Sequence, residues 1–139
     1  MIGTAINCGS AGKTQAQNPE TAVKTAPVKA EQQSGIIVGP IHKEDLMKAP
    51  YSVWFDPMYN SYKPEEAAFE KIKNNINDYE VKIFMGTWCG DSKREVPKFI
   101  KLLDLSDFDM ANLEIMGVTR SKTLPDDLQK SFDVHHIPT

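Results

Sequence analysis

Val81-Lys-Ile-Phe-Met runs through Gly86-Thr-Trp-Cys-Gly directly into a segment whose apolar residues Val96, Phe99, Ile100 and Leu103 recur at helical spacing. A short β-favouring run joined by a tight turn to a helix admits few folds, because both elements bury their apolar faces only if the helix packs across a sheet. The neighbouring segments continue the alternation. Pro64 to Asn77 reads as a helix, with proline in the first turn, acids near the positive end of the dipole, and Ala68, Phe69, Ile72 and Ile76 on one face. Asn112 to Val118 is a second strand, and Leu128 and Phe132, four apart behind Pro125 and two aspartates, mark a short helix. Helix, strand, helix, strand, helix is the order of an α/β sandwich with parallel strands.

Upstream, Tyr51-Ser-Val-Trp-Phe is rich in aromatic and β-branched residues and reads as a first strand or an extended lead-in. Ordered character begins near Ile36. Gly9 to Gly35 is Ala, Gln, Lys, Thr, Ser, Pro and Glu with almost no large apolar side chain, too little to offset the entropy of ordering it. The expected organisation is therefore a disordered tether over residues 1–35 and one domain over residues 36–139. Gly9 to Thr14 resembles the end of a phosphate-binding loop, but Asn7 stands where its first glycine belongs and no strand precedes it, so it is read as coincidence.

A chain of 139 residues suits one core, and a net charge of −3, from 16 basic and 19 acidic residues, provides no field for nucleic acid or anionic lipid. The two cysteines, Cys8 and Cys89, cannot build a disulfide framework or a metal quartet, and no stretch reaches the roughly 20 apolar residues of a membrane span. Met1 to Cys8 has the apolar, small-residue character of the end of a secretory signal running into a cysteine. On that reading Cys8 is a lipidation candidate and the only route to a membrane, and the domain stands in the cell envelope, facing an oxidising compartment. The alternative is a cytoplasmic protein with an ordinary disordered tail.

Cys89 falls where strand gives way to helix. Unpaired N–H groups and the dipole at a helix N-terminus favour a thiolate, so a thiol pKa below the free value of about 8.5 is expected. Lys93 and Arg94, in the next turn, would add to this effect, and Asp91 would oppose it. The competing reading is a buried, inert cysteine, against which the turn-favouring Gly90-Asp91-Ser92 argues.

Val81 to Phe99, VKIFMGTWCGDSKREVPKF, resembles the active-site strand and helix of the thioredoxin family: Trp88 precedes the cysteine, Lys93 follows the fourth motif position, and Pro97 falls five residues after that position. Ile137-Pro138-Thr139 resembles the family's cis-proline loop. The resemblance implies a thioredoxin-like α/β/α sandwich, with Cys89 and Trp88 at the reaction centre and Ile137, Pro138 and Thr139 as the surface where a peptide strand lays its disulfide against the sulfur. The sequence departs from the pattern in three ways. Ser92 replaces the resolving cysteine in a Gly-Asp rather than Gly-Pro turn. Ile83 stands where a buried acid is common. The family's closing β-hairpin and last helix do not follow Thr139, so the domain is expected to be C-terminally incomplete.

The resulting expectation is a monothiol oxidoreductase. Cys89 forms mixed disulfides with protein or small disulfides, Ser92 at most donates a hydrogen bond to the sulfur, and an external thiol releases the product. No cofactor or metal is expected. The alternative is a redox-inactive binding or scaffold module, and a cluster-binding role lacks any glutathione-site signature. His135 and His136, beside the proline loop, read as solvated loop residues or as imidazoles near Cys89. Asp107, Asp109, Asp126 and Asp127 read as turn and helix-start residues. Resolution of Cys89 by Cys8 across the long tether suffers from low effective concentration.

Overall fold

The structure, a computed structural model, describes residues 35–139. Three strands form one sheet: β1 (Gly39–Ile41), β2 (Val81–Met85) and β3 (Leu113–Gly117), in the order β1-β3-β2. Helices are α1 (Lys43–Leu46), α2 (Ser52–Ser61), α3 (Glu66–Lys73), α4 (Gly90–Leu105) and α5 (Leu128–Ser131). The class is mixed α/β, as expected. β2 and β3 are parallel, with Ile83 opposite Ile115 and Met85 opposite Gly117, but β1 runs antiparallel to β3.

The pleat sorts the core into two halves. Ile41, Ile83, Met85 and Ile115 point to one face, where they pack with Leu46, Tyr51, Phe55, Val96 and Ile100 under α2 and α4. Phe84 and Met116 point to the other, covered by Val118, Leu124 and Val134 from the long connection around α5. Gln129, buried in α5, is satisfied at both ends: its Oε1 accepts from Leu124 N at 2.9 Å and its Nε2 donates to Asp127 Oδ1 at 3.2 Å. The aspartates serve turns. Asp109 accepts from Ala111 N and Asp126 from Leu128 N, while Asp107 and Asp127 adopt left-handed backbone at the end of α4 and the start of α5.

Three expectations need correcting. The segment Tyr51 to Phe55 is helical, not extended, because Tyr51, Trp54, Phe55, Met58 and Tyr59 form a continuous i, i+3, i+4 stripe that buries better as one helix face than as a strand. Phe55 and Tyr59 stack at 5.5 Å, and Tyr59 OH and Lys43 both reach Asp104 on α4, tying three helices together. The helix expected from Pro64 begins at Glu66, where Glu65 caps it by accepting from Ala67 N and Ala68 N, and it ends at Lys73. It contributes no fully buried residue, and Ala68 is exposed. The third is the expectation of parallel strands, which antiparallel β1 breaks; its three residues, Gly-Pro-Ile, carry no periodicity, and as an edge strand it tolerates Pro40, which cannot donate a ladder hydrogen bond.

A strand at 51–55 would put Val53 and Phe55 on one face, whereas the helix leaves Val53 79% exposed and buries Phe55 to 1%. Phe55→Ala is expected to cost about 3–5 kcal/mol in urea unfolding, and Val53→Ala less than about 0.5 kcal/mol. Similar losses for the two would refute the helical assignment.

Candidate functional site

The end of β2 and the start of α4 are held together by polar atoms around the cysteine. Cys89 is the N-cap of α4, with extended backbone at φ −84° and ψ 127°. Its N–H donates to Gly86 O at 2.9 Å, closing the turn, and its C=O accepts from Lys93 N at 3.0 Å, opening the helix. Thr87 is buried and ties the turn to the first described residues: its Oγ1 accepts from Ile37 N at 3.2 Å and donates to Gly35 O at 3.1 Å.

Trp88 is half-buried and its indole Nε1 donates to Val118 O at 3.1 Å, in the loop that leaves β3. The ring closes over Gly86 so tightly that a Cβ there would lie 2.8 Å from the indole and 3.0 Å from Ile137 Cδ1. Only glycine fits. Ser92 is fully buried, and its Oγ accepts from Gly86 N at 3.2 Å. The expected hydrogen bond from Ser92 to the sulfur is not formed. The hydroxyl satisfies an otherwise orphaned backbone donor instead, which makes Ser92 a positioning residue for the turn.

The chain returns to this turn at its far end. Cys89 is half-buried, and its Sγ lies 3.9 Å from Ile137 O, across 48 residues of sequence. The Ile137–Pro138 peptide is cis. Thr139 exchanges both backbone hydrogen bonds with Phe84, at 2.8 and 3.1 Å, which pins the proline loop against β2. An apolar groove of about 450 Å³ runs on from Pro138 and Thr139 along the edge of β2, walled by Tyr62, Val96, Phe99 and Leu102.

The charged neighbours divide differently from expectation. Asp91 and Arg94, both exposed, pair with each other at 2.8 Å across one helical turn, and Arg94 also holds Glu95. The hydrogen bond to Glu95, then the fields of Asp91 and Glu95, raise the Arg94 pKa; the same hydrogen bond chiefly lowers that of Glu95. Arg94 thus spends its charge on carboxylates. Lys93 is half-buried and has no carboxylate within ion-pair distance among the described residues. His135 is exposed and pairs with Asp133 at 2.9 Å, and His136 offers its carbonyl to Thr139 Oγ1, also at the surface. Among the described residues no group of three or more His, Cys, Asp or Glu side chains is placed to hold a metal ion, and no helix is long and apolar enough to cross a membrane. Cys8 and the Gly9–Thr14 segment lie outside the described residues.

Sequence reasoning missed Arg120. Its guanidinium lies 5.5 Å from the centre of the Trp88 ring, two residues beyond the carbonyl that holds the indole. A signal was present: parallel strands bring their C-terminal ends together, so the loop after β3 must adjoin the loop after β2. No family model, curated protein or solved structure matches the chain.

Gly86→Ala is expected to displace the indole and shift Trp88 emission, read in a Trp54→Phe background. Ser92→Ala, which strands the Gly86 N–H, is expected to cost about 1–3 kcal/mol in urea unfolding. A Ser92→Ala variant as stable as the parent would remove the bracing role.

Proposed function

We propose that this chain is a thiol-disulfide oxidoreductase-like protein of thioredoxin-like fold that works through a single nucleophilic sulfur, Cys89. The observation that carries the reading is the meeting of Cys89 Sγ with the Ile137 carbonyl at 3.9 Å, which brings a helix-capping cysteine and the Ile-Pro-Thr loop into one surface. Pro97 inside α4 and the strand, turn and helix around Trp88 support the same resemblance.

In this reading the Cys89 thiolate attacks one sulfur of a disulfide. A new S–S bond joins Cys89 to that sulfur, the substrate S–S bond breaks, and the other sulfur departs as a thiolate. It picks up a proton from solvent, to which the Cys89 thiol lost its own. The Ile137 backbone provides a docking edge for an extended peptide beside the bond being exchanged. No second sulfur stands in the turn, since Ser92 occupies that position with its hydroxyl turned to Gly86. The adduct therefore persists until an external thiol attacks it, releases the substrate sulfur and restores Cys89.

The loss of a second cysteine, with Ser92 in its place, also favours a second reading, a docking module that keeps the surface without turnover. Intact mass spectrometry of the full chain in a Cys8→Ser background separates the two. With glutathione disulfide, one adduct per chain is expected, reversed by dithiothreitol and absent in Cys89→Ser. Ser92→Cys is expected to lose the adduct to an internal disulfide. No adduct on the parent would sink the oxidoreductase reading and leave the docking module.

A further inference from the structure

Arg120 lies over the Trp88 ring of the candidate site, and the proposed reaction leaves it without a role. It is exposed on the loop after β3 and has no carboxylate within ion-pair distance among the described residues. What holds it is the Trp88 ring, at 5.5 Å, a distance at which a guanidinium is attracted to the face of the indole. The ring itself is braced: its Nε1 is bonded to Val118 O, and its edge closes on Gly86. The guanidinium is thereby drawn toward a braced ring, and the ring belongs to the residue that adjoins Cys89.

The other positive groups around the turn are differently placed. Arg94 is neutralised by Asp91 and Glu95, and Lys122 donates to His135 O. Lys130 is paired with Asp127. Lys93 remains, half-buried on the first turn of α4 and on the opposite side of Cys89 in sequence from Trp88.

We infer that Arg120 is a specificity-determining residue that selects disulfides carrying a carboxylate close to the scissile bond. The inference rests on the mixed-disulfide reading of Cys89. An approaching anion gains from an unpaired guanidinium on the rim of the site, while a cation is repelled, and such rim charges act mainly on the rate of encounter. Attraction to the indole leaves the guanidinium N–H groups without a carboxylate partner, so they are available to one on an incoming disulfide. Glutathione disulfide and disulfides flanked by Asp or Glu in a peptide share this chemistry.

The test compares three small disulfides of similar size that differ in charge: dithiodipropionate as the anion, bis(2-hydroxyethyl) disulfide as the neutral reference, and cystamine as the cation. Second-order rates of Cys89 modification are measured on the full chain in a Cys8→Ser background. Arg120→Gln is expected to lower the anion-to-neutral rate ratio by about threefold to tenfold at low salt, and Arg120→Glu to lower it further and raise the cation-to-neutral ratio. The difference between parent and variant is expected to shrink at about 1 M salt, where charges are screened beyond about 3 Å. Lys93→Gln, as a comparison, is expected to move the anion ratio less than Arg120→Gln. An unchanged ratio in Arg120→Gln, or a larger change in Lys93→Gln, overturns the role of Arg120. Failure of the parent to react even with the neutral disulfide is a different result, and it removes the mixed-disulfide reading itself. Glutathione disulfide and an Asp-flanked peptide disulfide, run alongside, distinguish the two sources of the carboxylate by which one loses more rate in Arg120→Gln.

Discussion

The parallel pairing of β2 with β3 is the constraint on which the rest depends. Its register sets Met85 beside Gly117, so both strands deliver their outgoing loops to the same end of the sheet. Cys89 leaves one strand and Val118 to Arg120 leave the other, and Trp88 fills the space between them by donating to Val118 O. The spacing is tight at both strand ends. A Cβ on Gly117 would lie 2.3 Å from Ile37 O, and one on Gly86 would strike the indole. A one-residue slip of β2 against β3 would turn Ile83 and Met85 to the face that Phe84 now fills and Phe84 to theirs, breaking both halves of the core and the Lys82–Glu114 pair. The position of the candidate site is thus a consequence of where the isoleucines must go.

The segments that read correctly from sequence are those whose signal is local. Val81–Met85 and Gly90–Leu105 are stated by their own composition: β-favouring residues in one, a helical apolar period in the other, with a turn between. The errors come where the window was too short or the partner distant. Tyr51 to Phe55 viewed alone has the composition of a strand; extended to Tyr59 it shows the helical stripe that tertiary packing against α4 rewards. β1 has no internal signal at all and exists because β3 has a free edge for Ile41 to cover. Local propensity is a weak prior wherever the burial that decides the outcome is contributed by residues far along the chain.

The candidate site divides in the same way. Cys89, Trp88 and the Ile137-Pro138-Thr139 loop were legible because each sits in a recognisable local pattern, and the structure brings the sulfur to Ile137 O. The roles of Ser92, Arg94 and Arg120 were not legible, since each depends on what lies within a few ångströms. Ser92 looks from sequence like a neighbour for the sulfur, but Gly86, emerging from the strand at buried depth, has a backbone N–H that needs an acceptor. An unpaired buried donor costs more than a weak contact to sulfur returns, so the hydroxyl goes to the backbone. Arg94 looks like a neighbour for the thiol, but carboxylates at i−3 and i+1 claim it first.

These two diversions simplify the electrostatics around Cys89. A charge already paired on an exposed helix surface contributes little beyond its own ion pair, because solvent and counter-charge both screen it. With Asp91 and Arg94 cancelling each other, the residual fields along the turn come from groups held by something other than a carboxylate. Arg120 meets that condition through a ring rather than an ion pair. The Trp88 ring attracts the guanidinium without consuming its charge, whereas a salt bridge would have neutralised it. The location of Arg120 follows from the same β2–β3 register that places the cysteine.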